Sequence, residues 1–443
     1  MDNQPSIKNR PLRWVLQLDK PIKILNQEEA KAAQSDNFLW NLIFNSFDVV
    51  FFMGGISVLS ATTILPLFVS KLTDSTIPIA LVAMISQGGF FLPQLFTANF
   101  IERLHHKKPV VVSLGFWTER LPALLLIVAP LIALQAPMTA LVSFLLIYAW
   151  FNLGGGVIAP AWQDMVARCF PVERRGRFFG STMFLGALIG VGAASVAGRV
   201  LDEIAFPNNF LLIFAVAGGS IFLSWVFIAQ TREPIEAADV PELTIRQYLA
   251  ELPSLLRRDT NFRNFLVARF VLAIAELGSG FLTVAAIQIW GIADSMVATF
   301  TTAMLIGQTT GSLLMGFLAD RYGHRLSLEI SAITAVFAFG LAWLSPNPTW
   351  FVAVFFLLGF FNGARIVSGL MVVLEFAQPE KRPTYVGITN TLSGIGSIIA
   401  PLLGALLVLV GFDWVFLASM IASLIAVLML RFWVKEPRFT KSS

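Results

Sequence analysis

The chain has 443 residues, of which 56% are hydrophobic and only 13% charged, with 40 Phe, 11 Trp and a mean hydropathy of +0.75. Soluble domains carry about 25% charged residues, so that class is excluded and the composition is that of a membrane protein. The net charge of +4 comes from basic residues that orient loops at a bilayer rather than bind nucleic acid, and a single cysteine, Cys169, excludes an internal disulfide.

Residues 1–37 are polar and basic, lack the apolar core of a cleavable leader, and are read as a cytoplasmic segment. Within them Pro11 to Leu25 mixes basic and apolar residues, as a segment on the inner leaflet would. Apolar windows of about 20 residues then predict twelve membrane helices. They fall near 38–70, 76–100, 109–134, 138–166, 177–201, 209–231, 263–290, 295–318, 326–345, 349–377, 386–410 and 413–434. The first, fourth and tenth exceed a span, so tilt or protrusion is expected. The predicted fold class is an all-α integral membrane protein with an N-terminal six-helix bundle, 38–231, and a C-terminal one, 263–434. A cytoplasmic loop, 232–262, joins them, and a cytoplasmic tail, 435–443, follows. In the loop Leu243, Tyr248 and Leu252 recur at helical spacing, the pattern of a helix lying flat on the membrane.

Charge placement tests the helix count independently, because cytoplasmic loops accumulate Lys and Arg. With the N-terminus inside, 26 of the 31 basic residues fall on inner segments. An even number of spans with both termini in the cytoplasm is the simple topology that fits, and a multi-pass position in the plasma (inner) membrane is expected.

The most informative segment is GFLADRYGHR, Gly316 to Arg325, a charged turn between two apolar stretches. Gly323 can take the positive φ of the turn, Gly316 allows close helix approach, and Asp320 and Arg321 supply opposite charges. The segment resembles the loop signature of the major facilitator superfamily, which that family carries between helices 2 and 3 and again between 8 and 9. The first copy is degenerate: in ANFIERLHHKK, Ala98, Glu102, Arg103 and His105 stand at the matching positions. Duplication also shows in Phe151-Asn152 against Phe361-Asn362, and in the loops Pro171–Gly180 and Pro379–Gly387. The resemblance implies a central cavity lined by helices 1, 4, 7 and 10, and an aspartate, here Asp320, that caps helix 11 in one access state. Arg175, Arg325, Asp164 and Glu375 are read with the gating motif.

Ionised groups inside spans cost roughly 2.5 to 3.5 kcal/mol each at a helix centre, which makes them site candidates. They are Asp48, Glu119, Arg120, Arg269, Glu276 and Arg365. Asn41, Asn45 and Asp48 share one helix face, and Arg269 and Glu276 lie two turns apart on another. If the implied cavity holds, Asn152, Asn362 and Arg365 complete one polar patch. Glu119 and Arg120, being adjacent on a helix, are expected to face different partners, Arg120 turning to Asp48 and Glu119 to a polar group across the packing interface; the alternative is a buried ion pair that only holds the third helix in place. Proton carriers are expected at Glu276, Asp48 and Glu119, with Arg269 and Arg365 as anion ligands or counter-ions.

The expected function is secondary active transport of a small solute by alternating access, proton-coupled and monomeric, with efflux of an amphipathic compound or metabolite favoured over uptake. The alternative is a scaffold or assembly factor of the same fold without transport. No enzyme activity, cofactor or metal is expected: His105, His106 and His324 show no metal-ligand spacing. The lipid bilayer, a small-molecule substrate and protons or another ion are the expected partners, and nucleic acid is not among them.

Overall fold

A computed structural model of the chain describes residues 11, 16–17, 23–236, 256–376 and 382–440. The expected surface helix around Leu243, Tyr248 and Leu252 lies outside the described residues, as do the side chains of Glu102 and Arg175.

Among the described residues, twelve helices are long and apolar enough to cross a membrane. In chain order they are α1 Phe38–Val58, α2 Ile77–Glu102, α3 Val110–Ile132, α4 Pro137–Cys169, α5 Val172–Glu203 and α6 Asn208–Ile228. They continue as α7 Thr260–Trp290, α8 Asp294–Tyr322, α9 His324–Leu344, α10 Trp350–Phe376, α11 Arg382–Val408 and α12 Phe412–Phe432. Phe317, Leu409 and Phe432 remain about three-quarters exposed (75%, 76% and 75%), a surface that lipid can cover and water would not tolerate over so many side chains. A separate helix, Gln27–Asp36, precedes α1; Asn26 and Glu29 close a reciprocal capping box at its start.

Two compact units form, and they do not follow the sequence halves. One holds Met1–Leu59, Gly89–Gly190 and Phe206–Leu243; the other holds Ser60–Gly88, Val191–Ala205 and Thr244–Ser443. The split after Leu59 coincides with a break in the first predicted span, which ends at Val58 and resumes only as a short helix, Ile64–Ser70. Pro66 explains part of this: without an N–H it cannot bond the Thr62 carbonyl one turn back. That carbonyl instead accepts the Thr283 hydroxyl of α7 at 2.7 Å. Thr63 likewise meets Thr301 of α8 at 2.7 Å, and Lys71 pairs with Asp294 at 2.8 Å, so the short helix is tied to the second unit at three points.

Within that unit α8 and α10 approach through reciprocal glycine pairs, Gly307 and Gly311 against Gly359 and Gly363. A Cβ at any of the four would collide with backbone of the facing helix, at Phe356, Phe360, Met304 or Gln308. Small residues four apart are the means by which membrane helices reach backbone contact. The turn between α8 and α9 closes at Gly323, whose φ of +96° suits glycine, as the motif predicts.

Candidate functional site

The intramembrane charges gather in two clusters, one in each unit. In the first, α1 presents Asn41, Asn45 and Asp48 on one face, and that face meets α6. Asn41 accepts the Arg232 N–H at 2.9 Å and donates to the Arg232 carbonyl at 3.0 Å; Asn45 accepts the Thr231 hydroxyl at 3.3 Å. The Asp48 carboxylate takes the Ser224 hydroxyl at 2.6 Å and the Trp162 indole N–H of α4 at 3.0 Å. The stripe is thus a polar seam along α6, with both asparagines fully enclosed.

Glu119 and Arg120 pair with each other, contrary to the expectation that adjacent residues turn apart. The pair lies in a stretch where α3 winds as π-helix, over Val110–Leu114 and Phe116–Arg120, and the length of the two side chains lets their charged ends meet although their Cβ directions diverge. Gly155 of α4 leaves room for the pair, since a Cβ there would stand 2.7 Å from the Glu119 carboxylate. The Arg120 guanidinium lies 5.7 Å from the Phe52 ring and within Coulombic reach of Asp48. Asn152 turns back on its own helix, donating to the Tyr148 carbonyl at 2.8 Å.

The second cluster joins α7 and α10. Helix α7 tightens to 3-10 winding over Ala275–Phe281, starting beside Glu276. Glu276 and Arg365 form an ion pair of 2.6 Å with side chains 19% and 20% exposed, and Arg365 also donates to Asn362 at 3.0 Å. The Arg365 guanidinium lies 5.5 Å from the Phe361 ring. Arg269 lies flat against α10 at Gly369, where a Cβ would sit 2.5 Å from its Nη1. That Nη1 is buried and has no hydrogen-bond partner. Each cluster therefore includes a stretch wound other than as α-helix, at Glu119–Arg120 and at Glu276, and such stretches often mark functional positions.

A further charged assembly closes one end of each unit, and most of its members escape notice in the sequence. In the first unit Glu233, just beyond α6, accepts the backbone N–H groups of Lys107 at 3.0 Å and Lys108 at 2.8 Å, at the head of α3. Arg168 approaches it at 3.8 Å and His106 at 3.6 Å. Asp164, an expected gate charge, pairs with Lys107 at 3.2 Å and Arg168 at 3.1 Å. In the second unit Glu436, just beyond α12, accepts the backbone N–H of Arg325 at 2.9 Å near the head of α9. Glu375, the other gate charge, pairs with Arg438 at 2.6 Å and lies 3.9 Å from His324. Arg325 also reaches Glu329 at 3.3 Å and the Leu430 carbonyl at 2.8 Å, and the Asp320 carbonyl accepts from Arg438 at 3.0 Å. Asp320 and Arg321 are exposed and Arg103 half-buried, and a Cβ at Gly316 would stand 3.8 Å from Val367 of α10, an ordinary contact, so helix approach at this position does not require glycine. The readable signal was a repeated dipeptide, Glu233-Pro234 and Glu436-Pro437, each behind a basic residue and each following the sixth helix of its half.

Burial pushes the Glu233 carboxyl up to about 7 against the pull of the Lys107 and Lys108 N–H groups. Burial likewise raises Glu436 and lowers the Lys107 and Lys108 ammonium groups.

Residues 265–443 match the model of the Major Facilitator Superfamily. An uncharacterized MFS-type transporter, YfkF of Bacillus subtilis, is 24% identical over 275 residues, 58% of this chain and 65% of that protein. The 4-hydroxybenzoate transporter PcaK of Pseudomonas aeruginosa is 36% identical over 121 residues, 26% of each chain. The chain thus spans between about a quarter and two-thirds of the length of these relatives. In fold it is similar to a D-xylose-proton symporter, with a TM-score of 0.64 at 13% identity, covering 90% of this chain and 99% of that one. Residues 265–443 thus match the Major Facilitator Superfamily model, the relatives are transporters, YfkF of the MFS type, and the twelve-helix fold is the one seen in the D-xylose-proton symporter.

Proposed function

We propose that the chain is a secondary transporter that moves a small solute across the membrane by alternating access, coupled to protons. The observation that carries this reading is the Glu276–Arg365 ion pair, one fifth exposed on each side, in a stretch where α7 leaves α-geometry. An ion pair inside a span that is not fully enclosed can change partners. When Arg365 is engaged elsewhere, Glu276 loses its counter-charge and takes a proton; when Arg365 returns, the proton leaves. Asp48 is the second carrier, held by two neutral donors and the more distant Arg120. Glu119, already paired to Arg120, is third. Positive loop charge supports a plasma-membrane position with both termini inside. The relatives name dissimilar cargo, an aromatic acid and a pentose, so the cargo follows from the chemistry of the site.

In vesicles holding a pH-sensitive dye, addition of a transported solute should move protons through the wild type. E276Q should lower that flux at least tenfold, and D48N should lower it too. Wild-type flux in both variants would overturn proton coupling through these groups.

A further inference from the structure

The α7–α10 cluster holds two guanidinium groups and one carboxylate, a surplus of one positive charge inside the membrane. Glu276 and Asn362 engage Arg365. Among the described residues no hydrogen bond engages the buried Arg269 Nη1, and the side chain lies within Coulombic reach of both Arg365, which repels it, and Glu276, which is already paired to Arg365. A buried donor left without a partner is expensive, and a charged one more so. The packing between α7 and α11 adds a second unpartnered donor. Gly396 of α11 meets Phe270 and Ala273, and Gly404 meets Leu277 and Phe281. This parallel register sets Ser393 at the height of Arg269, and the Ser393 hydroxyl is buried with no partner as well.

From this we infer that Arg269, with Arg365 and Ser393, forms a binding site for a carboxylate, and that the cargo is a small organic monocarboxylate. Guanidinium groups match a carboxylate with two parallel N–H donors, and a planar acid group fits a cluster that is one negative charge short. Arg269 packs its guanidinium against α10 at Gly369, where the absence of a side chain leaves it room. The arriving carboxylate shares Arg365 with Glu276, which then takes up a proton, so that cargo and proton enter together without net charge. Calling this anion the cargo rests on the transport reading above; its binding does not.

The test uses the full-length protein in detergent and a panel of aliphatic and aromatic monocarboxylates from acetate to benzoate, each beside its amide. Acids in the panel should raise the unfolding temperature by several degrees, and the matching amides should not. R269Q should weaken acid binding at least tenfold. G369A keeps the charge but displaces the guanidinium, and it should also weaken binding, which guards against a fold defect in R269Q. Binding near neutral pH should take up close to one proton, and E276Q should abolish that uptake. If no acid binds, if amides bind equally, or if both R269Q and G369A bind as the wild type does, the site is overturned. Acid binding without proton uptake would leave the anion site standing and overturn the coupling through Glu276.

Discussion

Glu233 shows how one side chain can fasten three helix ends. Its carboxylate satisfies two N–H groups at the head of α3, which would otherwise face an apolar boundary unpaired, and it neighbours Arg168 from the end of α4. The proton affinity of this group makes a prediction. Its value in the fold, about 7, lies above the ordinary 4.5, so its contribution to stability is complete below about 4.5 and is lost as pH rises through about 7. Thermal unfolding followed from pH 4.5 to 8 should show the wild type losing stability relative to E233Q, which cannot titrate. His106 lies 3.6 Å from Glu233, so both proteins should carry H106Q. Parallel pH curves for the two would remove Glu233 as the source. The role of this residue was legible only as a repeated Glu-Pro, because the backbone groups it meets lie 125 and 126 positions away.

At the scale of elements, helix contacts are decided by missing side chains and freed carbonyls. G359A would drive a methyl group into the Met304 carbonyl of α8, and overpacking of this kind costs about 1–3 kcal/mol. A clear fall in unfolding temperature is expected, whereas G219A, with nothing within 4 Å of its Cβ, should leave it unchanged. Equal effects of the two would argue against backbone packing as the cause. T283V strips the hydroxyl from the Thr62 carbonyl that Pro66 leaves open, at about 1–3 kcal/mol for an unsatisfied buried group. T283S should restore stability; if serine is no better than valine, the hydrogen bond is not what holds the short helix. Helix existence and type were legible from apolar windows, since a span must be long and apolar whatever it packs against. The winding of α3 was not, because sequence spacing assumes 3.6 residues per turn, and neither was the pairing of Glu119 to Arg120, which long side chains achieve between neighbours whose Cβ directions diverge.

For the whole molecule, the basic loops predict both termini on the cytoplasmic side. Cys169 is buried, so introduced cysteines report alone. In intact cells a membrane-impermeant maleimide should label Q135C, between α3 and α4, and spare R258C, just before α7. The reverse pattern would invert the topology. By itself the sequence determined the membrane class, the twelve spans, the turn at Gly323 and the identity of the buried charges. The class, the spans and the charges follow from the cost of placing polar groups in hydrocarbon, and the turn from the freedom of glycine at positive φ, both of which act on a residue alone. Only the tertiary structure decided which charges meet. It turned Asn41 and Asn45 to the end of α6, set Glu276 on Arg365 and left Arg269 unanswered, because contacts between distant segments depend on helix winding and on glycine-to-backbone packing that no local pattern encodes.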